Sequence, residues 1–210
     1  MATPTSQRVG IWVIAIVLVV GTIGSFLLVI LSNQNDTTDQ AKIQELYTQY
    51  QSDMDNQAKQ LSKKYYADFN KYSKVPAKFD ASVVKKVTTR DLKIGNGVEI
   101  KSGTEYSAYY IGWNPKGVIF DQSIENGALK TPIAGGSLIT GWEEGVKGMK
   151  IGGIREISIP SDKAYGKTGS GENIPPNTPI KFVVMVIPKV EEVAMPQELI
   201  DYYQSQQYDT

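Results

Sequence analysis

Residues 137–153 read SLITGWEEGVKGMKIGG, and within them Gly141-Trp142-Glu143-Glu144-Gly145-Val146 signals one short helix. The two glutamates stand where they complement the positive end of a helix dipole. Outward in both directions the pattern changes to short runs with strand periodicity, broken by turn residues. LKIGNGVEI (92–100) carries Gly95-Asn96-Gly97, TEYSAYYIGW (104–113) follows, and REISIP (155–160) and IKFVVMVIP (180–188) close the segment. Several strands and a single short helix predict an α+β fold, an antiparallel sheet wrapped on that helix. Two other readings of the same stretch fail. The glycine-rich run 135–141 is no phosphate loop, because Trp142 stands where that motif demands lysine. Glu143 and Glu144 resemble an acid pair, yet adjacent helical positions face different ways, so they mark a helix start.

Composition narrows the chemistry. The 210 residues hold 22 Lys plus Arg against 22 Asp plus Glu, so no net field attracts nucleic acid, and none is expected as a partner. There is no cysteine, which excludes disulfides and thiolate chemistry, and no histidine, which removes the commonest general base and metal ligand. Histidine triads and zinc sites are excluded.

Toward the amino terminus, residues 10–31 (GIWVIAIVLVVGTIGSFLLVIL) form an uncharged apolar run. At about 1.5 Å per residue it crosses a hydrocarbon core of ~30 Å. The alternative is a cleaved signal peptide, whose apolar core is shorter, roughly 7–15 residues, and ends in a small-x-small site. Arg8 precedes the run, while Asp36 and Asp39 follow it before the first lysine, Lys42. That asymmetry predicts a single-pass anchor in the cell membrane, with everything after Leu31 outside the cytoplasm. From about Thr37 to Ser73 there is neither proline nor glycine, and Ile43, Leu46, Tyr50, Met54, Leu61, Tyr65 and Phe69 recur at helical steps. Asp36, Thr37 or Thr38 caps the start, and Pro76 forbids continuation. So long a helix must pair, split or stand exposed. It reads either as a solvated spacer with modest packing on the domain, or as a stalk that dimerises as a coiled coil, with Gln57 and Ala58 interrupting the seam. The resulting domain plan is a tail (1–9), an anchor (10–31), a helical stalk and linker (32–80), a globular domain (81–191) and a tail (192–210). In that last tail Pro196 opens a helical turn, and Leu199, Tyr202 and Tyr203 are available for docking.

YYIGW (109–113), GVIFDQS (117–123), the 137–153 stretch, IPSDKAYGKTG (159–169) and NIPPNTPIKFVVMV (173–186) occur in an order and spacing that resembles the FKBP domain over roughly Val87–Val190. The resemblance implies a twisted antiparallel sheet curling around one helix, and a peptidyl-prolyl isomerase needing no cofactor or metal. It further implies a proline pocket lined by Tyr110, Phe120, Asp121, Leu138, Ile139, Trp142, Tyr165, Ile174 and Phe182. The backbone N–H of Ile139 and the phenol of Tyr165 would address substrate carbonyls, and Asp121 would be the one buried carboxylate, orienting neighbouring phenols. Taken singly, Trp142 and Phe182 read more readily as core, Phe120 as a strand end and Asp121 as a turn former; the ordered set reverses that preference. Two departures stand out. The loop 125–136 (ENGALKTPIAGG) offers Lys130, Thr131, Pro132 and Ile133 where many members carry an aromatic wall, and Ser170 and Asn173 occupy positions often histidine or apolar. Only eight residues separate Tyr165 from Ile174, so no chaperone domain is inserted there.

The residues suit this chemistry. Rotating an X-Pro bond crosses ~18–20 kcal/mol because the twisted amide loses resonance. A dry aromatic cavity that grips the ring and strips water from the carbonyl favours the twisted state, and Tyr110, Phe120, Trp142 and Phe182 supply such walls. The expected partners are proline-containing unfolded or exported polypeptides, macrolide ligands and the bilayer around residues 10–31, with a stalk-mediated dimer as a further expectation. The competing readings are a proline-motif binding or chaperone module without turnover, and a tether whose stalk self-associates.

Overall fold

The computed structural model describes residues 37–136 and 138–207. The apolar run 10–31 lies outside the described residues, and among those described no helix is long and apolar enough to cross a membrane. The described residues divide into two compact units, one of residues 59–190 and one of residues 37–58 with 191–207.

The larger unit is built on strands β1 (Thr88–Lys93), β2 (Tyr106–Trp113), β3 (Ile119–Gln122), β6 (Ile133–Ala134), β7 (Ile154–Ile159) and β8 (Ile180–Pro188). They form one sheet in the order β1-β7-β8-β2-β3, with β6 also on β2. Every pairing is antiparallel. The last strand is inserted between β7 and β2, so the centre of the sheet closes only when the whole segment is present. A separate hairpin, β4 (Ile124–Glu125) with β5 (Ala128–Leu129), rises between β3 and β6.

Side chains alternate across the sheet with the period of two that pleating imposes. From β2 and β8, Tyr106, Ala108, Tyr110, Phe182, Val184 and Val186 enter one core with Trp142, Val146 and Met149. That core lies under the short helix α2 (Thr140–Val146), which the sequence placed at 141–146. Gly141 and Gly145 let this helix approach the sheet: a Cβ on either would come within 2.2 Å of Ile159 Cγ2 or 2.4 Å of Ile157 Cγ2. The Arg155 guanidinium closes its far end, donating to the carbonyls of Gly145 (2.9 Å) and Lys147 (3.1 Å) while bonding Asp91. A cation there satisfies the orphan carbonyls and opposes the negative end of the dipole.

The opposite face of the sheet carries a core of its own. Tyr109, Ile111, Trp113, Val183, Met185 and Ile187 form a second core with Phe69, and Tyr65, Tyr66, Tyr72, Val75 and Phe79 pack against it. These come from the end of the long helix α1 (Thr37–Phe69), the 3₁₀ turn Asn70–Tyr72 and the linker. Trp113 Nε1 donates to the Ala77 carbonyl (3.1 Å) and Phe79 N–H to the Pro115 carbonyl (3.1 Å), fixing that linker to the β2–β3 turn. Residues 59–80 share the compact unit of the strands, since central strands apolar on both faces need a cover on each. Helix α1 stops at Phe69, short of the Ser73 expected. The final turn tightens instead, with the Ser73 N–H and Oγ both donating to the Asn70 carbonyl (3.1 and 2.8 Å).

In the smaller unit α3 (Gln197–Gln207) lies with the first part of α1. The Pro196 carbonyl starts α3 by accepting from Leu199 and Ile200 N–H (3.0 and 3.2 Å). Gln57 Nε2 donates to the Glu191 carbonyl (2.9 Å), Lys42 lies 3.6 Å from Glu198, and Ile43 and Leu199 are buried. The apolar stripe of α1 is thus divided between two intrachain partners, the sheet at its end and the C-terminal segment along its beginning.

Candidate active site

Under the open edge of the sheet, β2, β3, β8 and α2 bring their aromatic side chains together. Phe182 is the hub: its ring centroid lies 5.2 Å from Trp142, 5.6 Å from Phe120 and 6.1 Å from Tyr110. Tyr110 also meets Trp142 at 5.8 Å, and all four contacts are edge-to-face, the arrangement that ring quadrupoles favour. Tyr110, Trp142, Ile174 and Phe182 are buried, whereas Phe120, Leu138, Ile139 and Tyr165 are half-buried and pack against the same core. The first group forms a floor and the second a rim. Every apolar residue that the sequence assigned to the pocket therefore falls in one cluster.

The floor is held by polar bonds that sequence reasoning missed. Trp142 Nε1 donates to the Tyr106 phenol (3.1 Å), which fixes the indole plane. Ser123 clamps the Tyr110 backbone on both sides: its N–H donates to the Tyr110 carbonyl (2.8 Å) and its Oγ accepts from the Tyr110 N–H (2.9 Å). Asn114, buried in the β2–β3 turn, accepts from Lys116 and Val118 N–H and donates through Nδ2 to the Asn173 carbonyl (2.8 Å). It thereby ties that turn to the loop that presents Ile174. Ser170, flagged as a departure, donates its N–H to the Ile174 carbonyl (2.8 Å) and serves the loop through backbone alone. Gly112 matters by absence of bulk, since a Cβ there would sit 2.5 Å from Phe182 and 2.6 Å from Phe120.

Ile139 immediately precedes α2 in extended conformation, and its carbonyl accepts from the Trp142 and Glu143 N–H groups (2.9 and 3.3 Å). Glu143 does more than complement the dipole. Its Oε1 accepts from the N–H groups of Gly136 (3.1 Å) and Leu138 (3.4 Å), holding the rim loop against the helix. Glu144 turns away and pairs with Lys163.

Asp121 requires a correction. It is not buried: its side chain is 47% exposed, because it lies on β3, the edge strand of the sheet. It does orient a phenol as expected. Tyr110 Oη donates to its Oδ2, Gln122 N–H donates to Oδ1 (2.8 Å), and Lys130 Nζ lies 3.9 Å away. Among the described residues the buried carboxylate is Glu156, on the other face, held by Arg90 and Lys181 (2.5 and 2.9 Å). Burial pushes the Tyr110 and Tyr165 phenols up, and the Asp121 charge pushes both further. Both remain protonated donors at neutral pH. Among the described residues no cluster of acidic side chains could hold a metal.

This is a buried aromatic cluster with a half-buried rim, chemistry suited to packing against a small apolar ring. Comparison with known proteins gives the following similarities. A peptidyl-prolyl cis-trans isomerase structure from Pseudomonas syringae pv. tomato aligns at 29% identity and a TM-score of 0.43, covering 63% of this chain and 92% of that one. Residues 96–187 match the family model described as FKBP-type peptidyl-prolyl cis-trans isomerase. FK506-binding protein 2 of Yarrowia lipolytica is 32% identical over 112 residues, 53% of this chain and 75% of that protein. The FK506-binding protein of Neisseria meningitidis serogroup A is 41% identical over 98 residues, 46% of this chain and 90% of that protein. At that identity over nearly the whole of the Neisseria protein, the chain belongs to the FKBP family and is a peptidyl-prolyl cis-trans isomerase.

Proposed function

We propose that this isomerase acts on X-Pro bonds of unfolded polypeptides outside the cytoplasm, tethered through residues 10–31, and catalyses rotation by desolvation. The observation that carries the mechanism is the edge-to-face set around Phe182, which offers a proline ring an apolar floor. Inside it the carbonyl before proline loses its hydration, and the planar amide loses the advantage that solvated resonance gives it. The Ile139 N–H and the Tyr165 phenol hold the substrate carbonyls in register, and Asp121, fixed by Tyr110, sets the local field. No proton moves and no bond breaks. The same slot accommodates macrolide ligands, with the Lys130–Ile133 side more open than an aromatic wall would leave it. Uncatalysed isomerisation takes 10–100 s, slow enough to limit folding of an exported chain.

The test is isomerisation of an X-Pro peptide by the full chain. Phe120→Ala should lower kcat/KM more than about tenfold, the loss of roughly 1.4 kcal/mol of transition-state binding, while Glu144→Gln stays within about twofold. A folded Phe120→Ala variant with full activity would remove the pocket from the mechanism. The location is tested separately. Protease added to intact cells should digest the segment after residue 37, and full protection would place the domain on the other side.

A further inference from the structure

We infer that Ser62, on helix α1 and outside the matched family segment, is a positioning residue for the proline pocket, acting through the β4–β5 hairpin. The hairpin turns at Asn126-Gly127, whose φ values of +49° and +75° are those of a two-residue type I′ turn. Its pairs are Glu125↔Ala128 and Ile124↔Leu129. Because Glu125 and Ala128 flank the turn and share the narrow hydrogen-bonded pair, the next N–H, that of Leu129, points out of the hairpin. Leu129 is 4% exposed and packs with the core under α1, so water does not serve that donor. Ser62, itself 8% exposed, does: its Oγ accepts the Leu129 N–H at 2.9 Å.

One residue further, the hairpin becomes part of the pocket. Lys130 N–H donates to the Ser123 carbonyl (2.9 Å), and Ser123 is the residue that clamps the Tyr110 backbone from both sides. The Lys130 side chain meets Asp121, which in turn accepts from the Tyr110 phenol. A single hydroxyl on α1 therefore fixes the strand end from which Lys130, Asp121 and Tyr110 take their places. A buried N–H left without its acceptor must be satisfied elsewhere, and the hairpin can do so only by moving off the helix. The end of α1 is in this sense part of the enzyme, not a spacer.

The inference rests on the isomerase reading of the pocket, and wild-type turnover checks that reading independently. The full chain is compared with Ser62→Ala, Ser62→Thr and the exposed control Lys63→Ala, measuring kcat, KM and Tm together with amide exchange at Leu129. Ser62→Ala should lower kcat/KM roughly threefold to tenfold at a temperature where it is fully folded, with the loss carried by KM, because a loosened wall weakens ground-state and transition-state binding alike. Ser62→Thr, which keeps an acceptor, should return within about twofold, and Lys63→Ala should be unchanged. A folded Ser62→Ala variant with wild-type kcat/KM overturns the inference, as does a loss that Thr fails to restore. Should Ser62→Ala not fold, the wild-type chain decides. Saturation with a proline peptide should slow exchange at Leu129 while leaving the Ser82 amide, bonded to Asp80 (2.8 Å) in the linker region, unchanged. No change at Leu129 overturns the coupling, whereas a wild-type chain without turnover would sink the isomerase reading itself.

Discussion

Gly112→Ala is a one-carbon probe of the pocket. A Cβ at Gly112 would lie 2.5 Å from Phe182 Cε1, 2.6 Å from Phe120 Cε2 and 2.7 Å from Phe120 Cζ. Ordinary carbon contacts are about 3.5–4.0 Å, so about 1 Å of separation must be found between the strand and each ring. Phe182 cannot supply it: it is 4% exposed and wedged between Trp142 and Tyr110. Phe120 can, because it is half-buried on the edge strand β3, where the ladder already carries a bulge opposite Gly112 and Trp113. The methyl should therefore drive Phe120 outward and open that side of the slot while β2, β8 and the second core remain. Overpacking of this kind costs about 1–3 kcal/mol of stability. Losing one aromatic wall at ~1.4 kcal/mol or more predicts a fall in kcat/KM of about tenfold or greater. Steady-state isomerisation of an X-Pro peptide, with chemical denaturation on the same preparation, measures both. Phe120→Leu in the same background makes room for the methyl, so the double variant should lose less than the sum of the singles. Full additivity, or a Gly112→Ala enzyme that keeps wild-type kcat/KM, would refute the account of Gly112 as the gap that seats the two rings.

Three further outcomes follow from the same geometry. Glu143→Ala should release the Gly136 and Leu138 amides and lower kcat/KM severalfold, whereas Glu143→Gln keeps an acceptor and should stay within about threefold, as paired kinetics would show. For Glu156, burial raises the carboxyl pKa, but hydrogen bonds from Arg90 and Lys181 outweigh it and hold the group below the usual range. A depressed folded-state value means stability that is complete above an unfolded pKa of about 4.3 and lost as pH falls through the folded value; the acid limb of Tm against pH should flatten in Glu156→Gln. Activity should be nearly flat from mildly acidic to mildly basic pH, since the chain has no histidine and the Tyr110 and Tyr165 phenols are pushed up, away from that range. A bell-shaped profile with a large solvent isotope effect in folded enzyme would point to proton transfer instead.

The site was more legible in the sequence than the frame that carries it. Tyr110, Phe120, Trp142 and Phe182 sit in short motifs whose order survives any ignorance of topology, and they converge as expected. Two available signals were passed over. Asn126-Gly127, inside the run 125–136, is a strong two-residue hairpin signature, and the pairing it sets leaves the Leu129 N–H facing outward. The central strands, YSAYYIGW and IKFVVMVIP, are close to continuously apolar, a pattern that demands cover on both faces. One short helix can cover only one. That second cover is present in the sequence as Tyr65 and Phe69 on the stripe of α1, with Tyr66 beside it. The buried carboxylate was misplaced for a different reason. Glu156 is made burial-competent by Arg90 and Lys181, at sequence separations of 66 and 25, and that conjunction exists only once β1, β7 and β8 are known to be neighbours.

The short helix that decided the fold is also the element least able to exist alone. Seven residues, two of them glycine at buried positions, fall far below the length at which a helix is marginally stable in water, and each interior glycine costs roughly a further 1 kcal/mol relative to alanine. Its persistence is therefore tertiary: Ile157 and Ile159 against the glycines, Arg155 on its last carbonyls, Glu143 on the preceding loop and the Trp142 indole on Tyr106. Most of those partners lie in β2 and β7, which the sheet joins only through β8 between them. Trp142 is therefore held in the pocket by the sheet and not by its own helix. The same sheet is covered on its second face by residues that include the end of α1. The motif that names the family and the helix outside the motif thus bear on the same tryptophan, one by supplying it and the other by completing the surface that holds it.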